Sequence, residues 1–133
     1  MITSYRDLRV WQIGMDLVED VYCLTQALPL SERFGLASQM QRAAVSVPAN
    51  IAEGQARGYT GEYLHHLAVA CGSIAELLTH LELATRLGYI DQTQAARVSA
   101  KAESIARQLS ALRTALRDRS QRPKSQLPTP NSR

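Results

Sequence analysis

Aromatic side chains are scarce in this 133-residue chain, which has one Phe, one Trp and five Tyr. Leu, Ala, Val and Ile must therefore fill the interior, a balance that suits helices better than a β-sandwich. No segment alternates with period two, so no strand is expected. The two cysteines, Cys23 and Cys71, are too few for a disulfide framework. Each falls in an apolar helical pattern, where a free thiol behaves as a small buried hydrophobe. A reducing cytoplasm is the expected compartment. No run reaches the roughly 18 apolar residues of a membrane span, and the opening residues lack the apolar stretch of a signal peptide. The expectation is a soluble chain with no membrane partner.

Lysine is missing from residues 1–96, which hold six Arg against ten acids, a net of −4. Residues 97–133 hold nine Arg and Lys against only Glu103 and Asp118, a net of +7. Such asymmetry marks either a solubilising face or a surface for an acidic partner such as RNA.

Four helical patterns stand between turn signals. The first, from about Asp7 to Leu28, carries two apolar seams, one of Leu8, Trp11, Met15, Val18 and Tyr22 and one of Leu17, Val21, Leu24 and Leu28. Two seams suit a helix buried against more than one neighbour, and Pro29 stops it. Ser31 is placed to cap the second helix, with Phe34 at its third position. Its inward stripe is Leu36, Met40, Ala44, Val47 and Ile51, and Pro48 is expected to kink it or break it in two. Gly54 and Gly58 read as its frayed end. Thr60 reads as the cap of the third helix, which repeats Leu64, Leu67, Cys71, Ile74, Leu78 and Leu81 and stops at Gly88. Asp91 caps the fourth, whose seam is Val98, Ala102, Ile105, Leu109, Leu112 and Leu116.

These patterns predict an all-α fold, an antiparallel up-down-up-down four-helix bundle over residues 1–118. Residues 119–133 hold three prolines and four basic residues with one large apolar side chain. Too little surface can be buried there to offset the ordering entropy, so a disordered basic tail is expected.

Catalytic and metal signals are sparse. There is no Gly-rich phosphate loop, Cys-rich zinc spacing or nucleophile elbow. Glu62 and His65 form one Glu-x-x-His step, whereas a di-iron bundle needs two such steps and further inward glutamates. His65, His66 and His80 are read as surface residues, and neither metal nor cofactor is expected. Gln39, Arg42, Ser46, Asn50, Glu53 and Arg57 follow one another at helical spacing beside the core stripe of the second helix. They are read as a structural or subunit-interface network, with Glu53 and Arg57 an i,i+4 pair of favourable polarity. On the fourth helix Arg97 and Lys101 flank one side of the seam, and Arg113 and Arg117 flank the other. With Arg119, Arg122 and Lys124 they are the candidate RNA contacts, mostly to phosphate.

The run Leu28-Pro29-Leu30-Ser31-Glu32-Arg33-Phe34-Gly35-Leu36 is followed by Gln39, Arg42-Ala43-Ala44 and Ser46-Val47-Pro48-Ala49-Asn50-Ile51-Ala52-Glu53-Gly54. With Asp7-Leu8, Val10-Trp11-Gln12, Glu62-Tyr63, Gly72-Ser73 and Leu87-Gly88-Tyr89-Ile90, it resembles the 23S-rRNA-intervening-sequence proteins, over about residues 5–118. The resemblance implies an antiparallel four-helix bundle assembled into a homopentameric ring, with no enzymatic activity. It also implies relatives among the accessory variability proteins of diversity-generating retroelements, which work with a reverse transcriptase and RNA. The chain departs from that pattern at Gln41, where a basic residue is frequent, at His66, where an aromatic is usual, and at Cys71, where a basic residue is often found. The expected function is a non-catalytic homo-oligomeric bundle, a scaffold or RNA-associated accessory protein. A dedicated partner of a reverse transcriptase and an uncharacterised enzyme are the alternatives.

Overall fold

The computed structural model describes residues 4–121. After a short 3₁₀ turn at Tyr5–Asp7, the chain forms α1 (Arg9–Thr25), a second 3₁₀ turn at Leu30–Glu32, α2 (Leu36–Arg57), α3 (Thr60–Arg86) and α4 (Gln92–Gln121). Successive helices are antiparallel neighbours and α4 returns to pack on α1, while the diagonal pairs α1–α3 and α2–α4 do not meet among the described residues. The section is therefore square, the up-down-up-down bundle that the periodicity predicts.

Buried residues recur at 3-and-4 spacing on each helix, because one stripe of each must leave water. Leu17, Met40, Ile51, Leu67, Ile74, Leu77, Leu81, Ile105 and Leu109 are buried almost completely. The two seams of α1 part company. Leu17, Val21, Leu24 and Leu28 are buried, whereas Met15 and Tyr22 stand 43% and 46% exposed, with Trp11 and Val18 half-buried between. A single core takes only one of the two. Cys23 is likewise exposed and Cys71 half-buried, so neither thiol is a core residue.

Helix ends follow local chemistry in some places and distant contacts in others. Asp91 Oδ1 accepts from the Gln94 amide at 2.7 Å while Gln94 Oε1 accepts from the Asp91 amide at 3.3 Å, a reciprocal capping box. Gly88 takes φ +79°, and the Tyr89 and Gly88 amides donate back to the Ala84 and Thr85 carbonyls. This is a Schellman ending. Ser31 does not cap α2. It lies in the 3₁₀ turn, and Gly35 occupies the cap position. The Glu32 carboxylate does the capping instead, accepting from the Leu36 amide at 3.1 Å through Oε1 and from the Tyr89 hydroxyl at 3.0 Å through Oε2. A Cβ at residue 35 would stand 2.7 Å from that Oε1, so glycine makes the room. The bond to Glu32, with partial burial and the carboxylate's charge, raises the pKa of the Tyr89 phenol. Phe34, expected inside the helix, is 89% exposed in the turn. Thr60 is the first residue of α3 rather than its cap, which is Tyr59 with no side-chain bond.

Helix α2 runs unbroken through Pro48, so it does not divide into two. Pro48 has no N–H to give the Ala44 carbonyl. Its ring lies against α1 at Gly14, where an added Cβ would sit 3.3 Å from Pro48 Cβ. Gly54 is not a frayed end either. It is buried within α2, and a Cβ there would lie 2.8 Å from His66 Cβ and 3.1 Å from the Tyr63 ring of α3. At both glycines a neighbouring helix leaves little or no room for a Cβ.

By length and mean composition alone α3 is apolar enough to cross a membrane, although it holds no unbroken run of about 18 apolar residues. In the bundle its apolar stripe, from Leu67 to Ala84, faces the other helices. Helix α4 continues through Gln121, past the expected boundary at Asp118. The rest of the expected tail lies outside the described residues.

Candidate functional site

The polar stripe of α2 meets a matching one on α3. Ser73, buried on α3, donates its hydroxyl to Ser46 Oγ at 2.7 Å. Asn50 donates through Nδ2 to the Ser46 carbonyl at 2.8 Å and to Ser46 Oγ at 3.0 Å. That leaves Asn50 Oδ1 as the acceptor facing His66 Nδ1 at 2.9 Å, so Nδ1 carries a proton. The other ring nitrogen, Nε2, stands 3.7 Å from Glu53. Glu53 accepts from Arg57 at 2.7 Å, and Arg57 reaches on to Glu62 at 3.0 Å. The bond from Arg57, with the nearby His66, holds the Glu53 carboxyl below its usual value, and the same bond raises Arg57.

Of the six α2 residues singled out in the sequence, Ser46, Asn50, Glu53 and Arg57 form this network, while Gln39 and Arg42 are exposed toward the start of the helix. The α3 half, Ser73, His66 and Glu62, escaped the sequence reading. The His66 and His80 side chains are only 13% exposed and are not surface groups. A serine beside Ile74 in an otherwise apolar repeat was the available signal. Chemically the network joins two helices: both His66 nitrogens face Asn50 and Glu53, and the two serine hydroxyls face each other. Among the described residues no group of three or more His, Cys, Asp or Glu side chains converges as metal ligands would.

Removing the middle of such a chain leaves sheltered groups unpaired. Asn50→Ala strips the acceptor from His66 Nδ1–H and a donor from Ser46. An unsatisfied buried polar group costs about 1–3 kcal/mol, and a urea unfolding curve should show a loss in that range. A loss below experimental error would mean that water replaces the amide freely.

The basic candidates do not share one environment. Lys101 pairs with Asp20 of α1 at 2.5 Å and, with Arg97, lines a small cleft between α1 and α4 of about 230 Å³. Arg113 points toward α3, where its Nη1 meets Cys71 Sγ at 3.9 Å and its buried Nε has no acceptor. Arg117 and Arg119 are exposed. Arg122 and Lys124 lie outside the described residues.

The fold and the seam define an all-helical, square four-helix bundle whose second and third helices are joined by a continuous polar network. The chain belongs to the 23S rRNA-intervening sequence protein family, whose profile matches residues 6–111. It is similar to a crystal structure of a protein with unknown function from the S23 ribosomal protein family of Bacteroides thetaiotaomicron. That match has a TM-score of 0.72 at 22% identity and covers 77% of this chain and 96% of the other. At that identity the likeness speaks for the fold alone. No curated protein matches the chain.

Proposed function

We propose that this protein is a non-catalytic, cytoplasmic, homo-oligomeric bundle, a ring of five copies, that acts as an RNA-associated accessory or scaffold protein. The observation that carries the RNA reading is the charge division between α4 with its tail and the rest of the chain. Among the four helices, α4 alone presents a series of exposed guanidinium groups, Arg97, Arg107, Arg117 and Arg119. Arg97, Arg107, Arg117 and Arg119, continued in sequence by Arg122 and Lys124, are the proposed phosphate contacts. Lys101 is withdrawn by its ion pair with Asp20. Arg113 is withdrawn by its position against α3. The family's description, which names 23S rRNA intervening sequences, supports the same class of partner. A reverse transcriptase that itself holds RNA is a compatible protein partner.

Phosphate contacts release counterions, so affinity should fall steeply between roughly 50 and 200 mM salt. A ring repeats the patch on every subunit, and avidity raises a weak single-site affinity. Few aromatics are exposed for stacking, so selectivity among sequences should be low. Fluorescence anisotropy with one structured and one unstructured RNA at two salt concentrations tests this. Gln substitutions at Arg97, Arg107, Arg117, Arg119, Arg122 and Lys124 should weaken binding and flatten the salt dependence while the oligomer persists. Absence of binding by the unsubstituted protein at low micromolar concentration in low salt would leave a protein partner as the better reading.

A further inference from the structure

The cleft between α1 and α4 opens where the last turns of the first helix meet the first turns of the fourth. Its 230 Å³ equals the liquid volume of roughly eight waters, room for a compact organic group. The floor is apolar, formed by the nearly buried Leu24 and Val98. The rim is polar, and its groups are unlike. Arg97 is exposed and has no hydrogen bond or ion pair among the described residues. Gln94 accepts from the Asp91 amide through Oε1 at 3.3 Å, which leaves its Nε2 as a donor. Asp20 meets Lys101 Nζ through Oδ2 at 2.5 Å, so Oδ1 remains as an acceptor held in place by that pair. Cys23 adds an exposed thiol. Asp16, one turn further down α1, does not line the cleft.

These groups suit different parts of one molecule. A guanidinium offers its fork of donors to a phosphate. A carboxylate oxygen accepts from ribose hydroxyls. An apolar floor covers one face of a flat base, and an amide beside it reaches the base edge. A bare anion has no use for the floor and is repelled by Asp20, while a purely apolar ligand has no use for Arg97.

We propose that the α1/α4 cleft is a subsite for a single nucleotide, with its base against Leu24 and Val98, its ribose at Asp20 and its phosphate at Arg97. The nucleotide is either free or one unstacked residue of a longer strand. The choice of a nucleotide rests on the RNA reading above and deepens it, because Arg97 belongs to both. A paired base must first leave its helix to enter such a cleft, whereas an unpaired base turns out of a strand at little cost. The subsite therefore favours single-stranded RNA over duplex, a preference that phosphate contacts along α4 do not supply.

The test alkylates the full chain with N-ethylmaleimide and follows its two thiols separately by peptide mass spectrometry. Cys23 lines the cleft, and Cys71 on α3 is the internal reference. Adenosine or uridine 5′-monophosphate is expected to slow alkylation of Cys23 several-fold and to leave Cys71 unchanged. Adenosine alone and inorganic phosphate alone should each protect less. Arg97→Gln, with folding checked by circular dichroism, should remove most of the protection. A short single-stranded RNA should protect Cys23 and its duplex should not. Protection by free nucleotides in a protein that binds no RNA by anisotropy would sustain the subsite and overturn the RNA reading alone. RNA binding with Cys23 fully reactive under every nucleotide would overturn the subsite alone, and neither RNA binding nor protection would overturn both. Inorganic phosphate that protects as well as a nucleotide would make this a plain anion site and overturn the proposal. Equal protection by duplex and single strand would place the backbone over the cleft rather than a base, and would overturn it as well.

Discussion

Truncating Leu109 to alanine is expected to lower stability by about 2–5 kcal/mol, the range for deleting a buried leucine side chain and leaving a cavity. Leu109 has no exposed surface and lies on the inward seam of α4 with Ala102 and Ile105, which are equally buried. The surrounding core is mostly Leu, Ile, Val and Ala, with Met40 its one long flexible side chain among the fully buried residues. Little can slide into the gap. Leu116→Ala, on the same seam but only partly buried, should cost clearly less. Urea unfolding followed by circular dichroism measures both. Equal losses at the two positions would show that burial along α4 does not set the energetics, contrary to the way the bundle is packed.

Legibility of the fold in the sequence depended on the distance over which each signal acts. The α4 seam, the Asp91 cap and the Gly88 ending are set by residues within one turn of each other, and they appear as predicted. The cap of α2 is set by Glu32, but its geometry depends on room left by Gly35 and on the Tyr89 hydroxyl 57 residues away. Ser31, with the right chemistry one position earlier, was the better local choice and the wrong one. Periodicity also gave α1 two equivalent seams. It carries no information on which seam faces the core, and the one holding Met15 and Tyr22 is left outside.

The polar seam was half legible for the same reason. Spacing along α2 aligned Ser46, Asn50, Glu53 and Arg57, because they share one helix. Their partners Ser73 and His66 lie 27 and 16 residues from the groups they meet and become neighbours only when α3 folds back on α2. The basic residues of α4 read as two flanks in the sequence, and the structure gives those flanks different surroundings. Lys101 is tied to α1 and Arg113 is turned against α3, so equal charges in a row do not make one uniform surface.

Gly54 brings these threads together, and replacing it should have the larger effect on the seam. Near the end of a helical pattern a glycine looks like a breaker, yet here it is buried in the crossing of α2 and α3. Alanine improves helix propensity by about 1 kcal/mol over glycine. At residue 54 its Cβ would stand 2.8 Å from His66 Cβ, 3.1 Å from Tyr63 Cδ1 and 3.4 Å from Tyr63 Cα. The first two atoms belong to side chains held close to their own backbone, and the third is backbone itself, so the helices must separate rather than a side-chain tip swing aside. Overpacking of a tight core costs about 1–3 kcal/mol, enough to outweigh the propensity gain, and Gly54→Ala should be a net loss. Gly54→Leu should exceed about 3 kcal/mol, the upper end of that ordinary range. Separation at this crossing also pulls His66 from Asn50 and Ser73 from Ser46, leaving sheltered polar groups unpaired. Gly72→Ala supplies the internal control: the same change in the next helix, into open space, should raise stability by about 0.5–1 kcal/mol when measured below the concentration of assembly. Opposite signs for the two alanine variants in matched urea titrations would establish that Gly54 serves the packing of its own chain. Two gains would show that the α2–α3 crossing yields easily and that the glycine there answers to something other than helix contact.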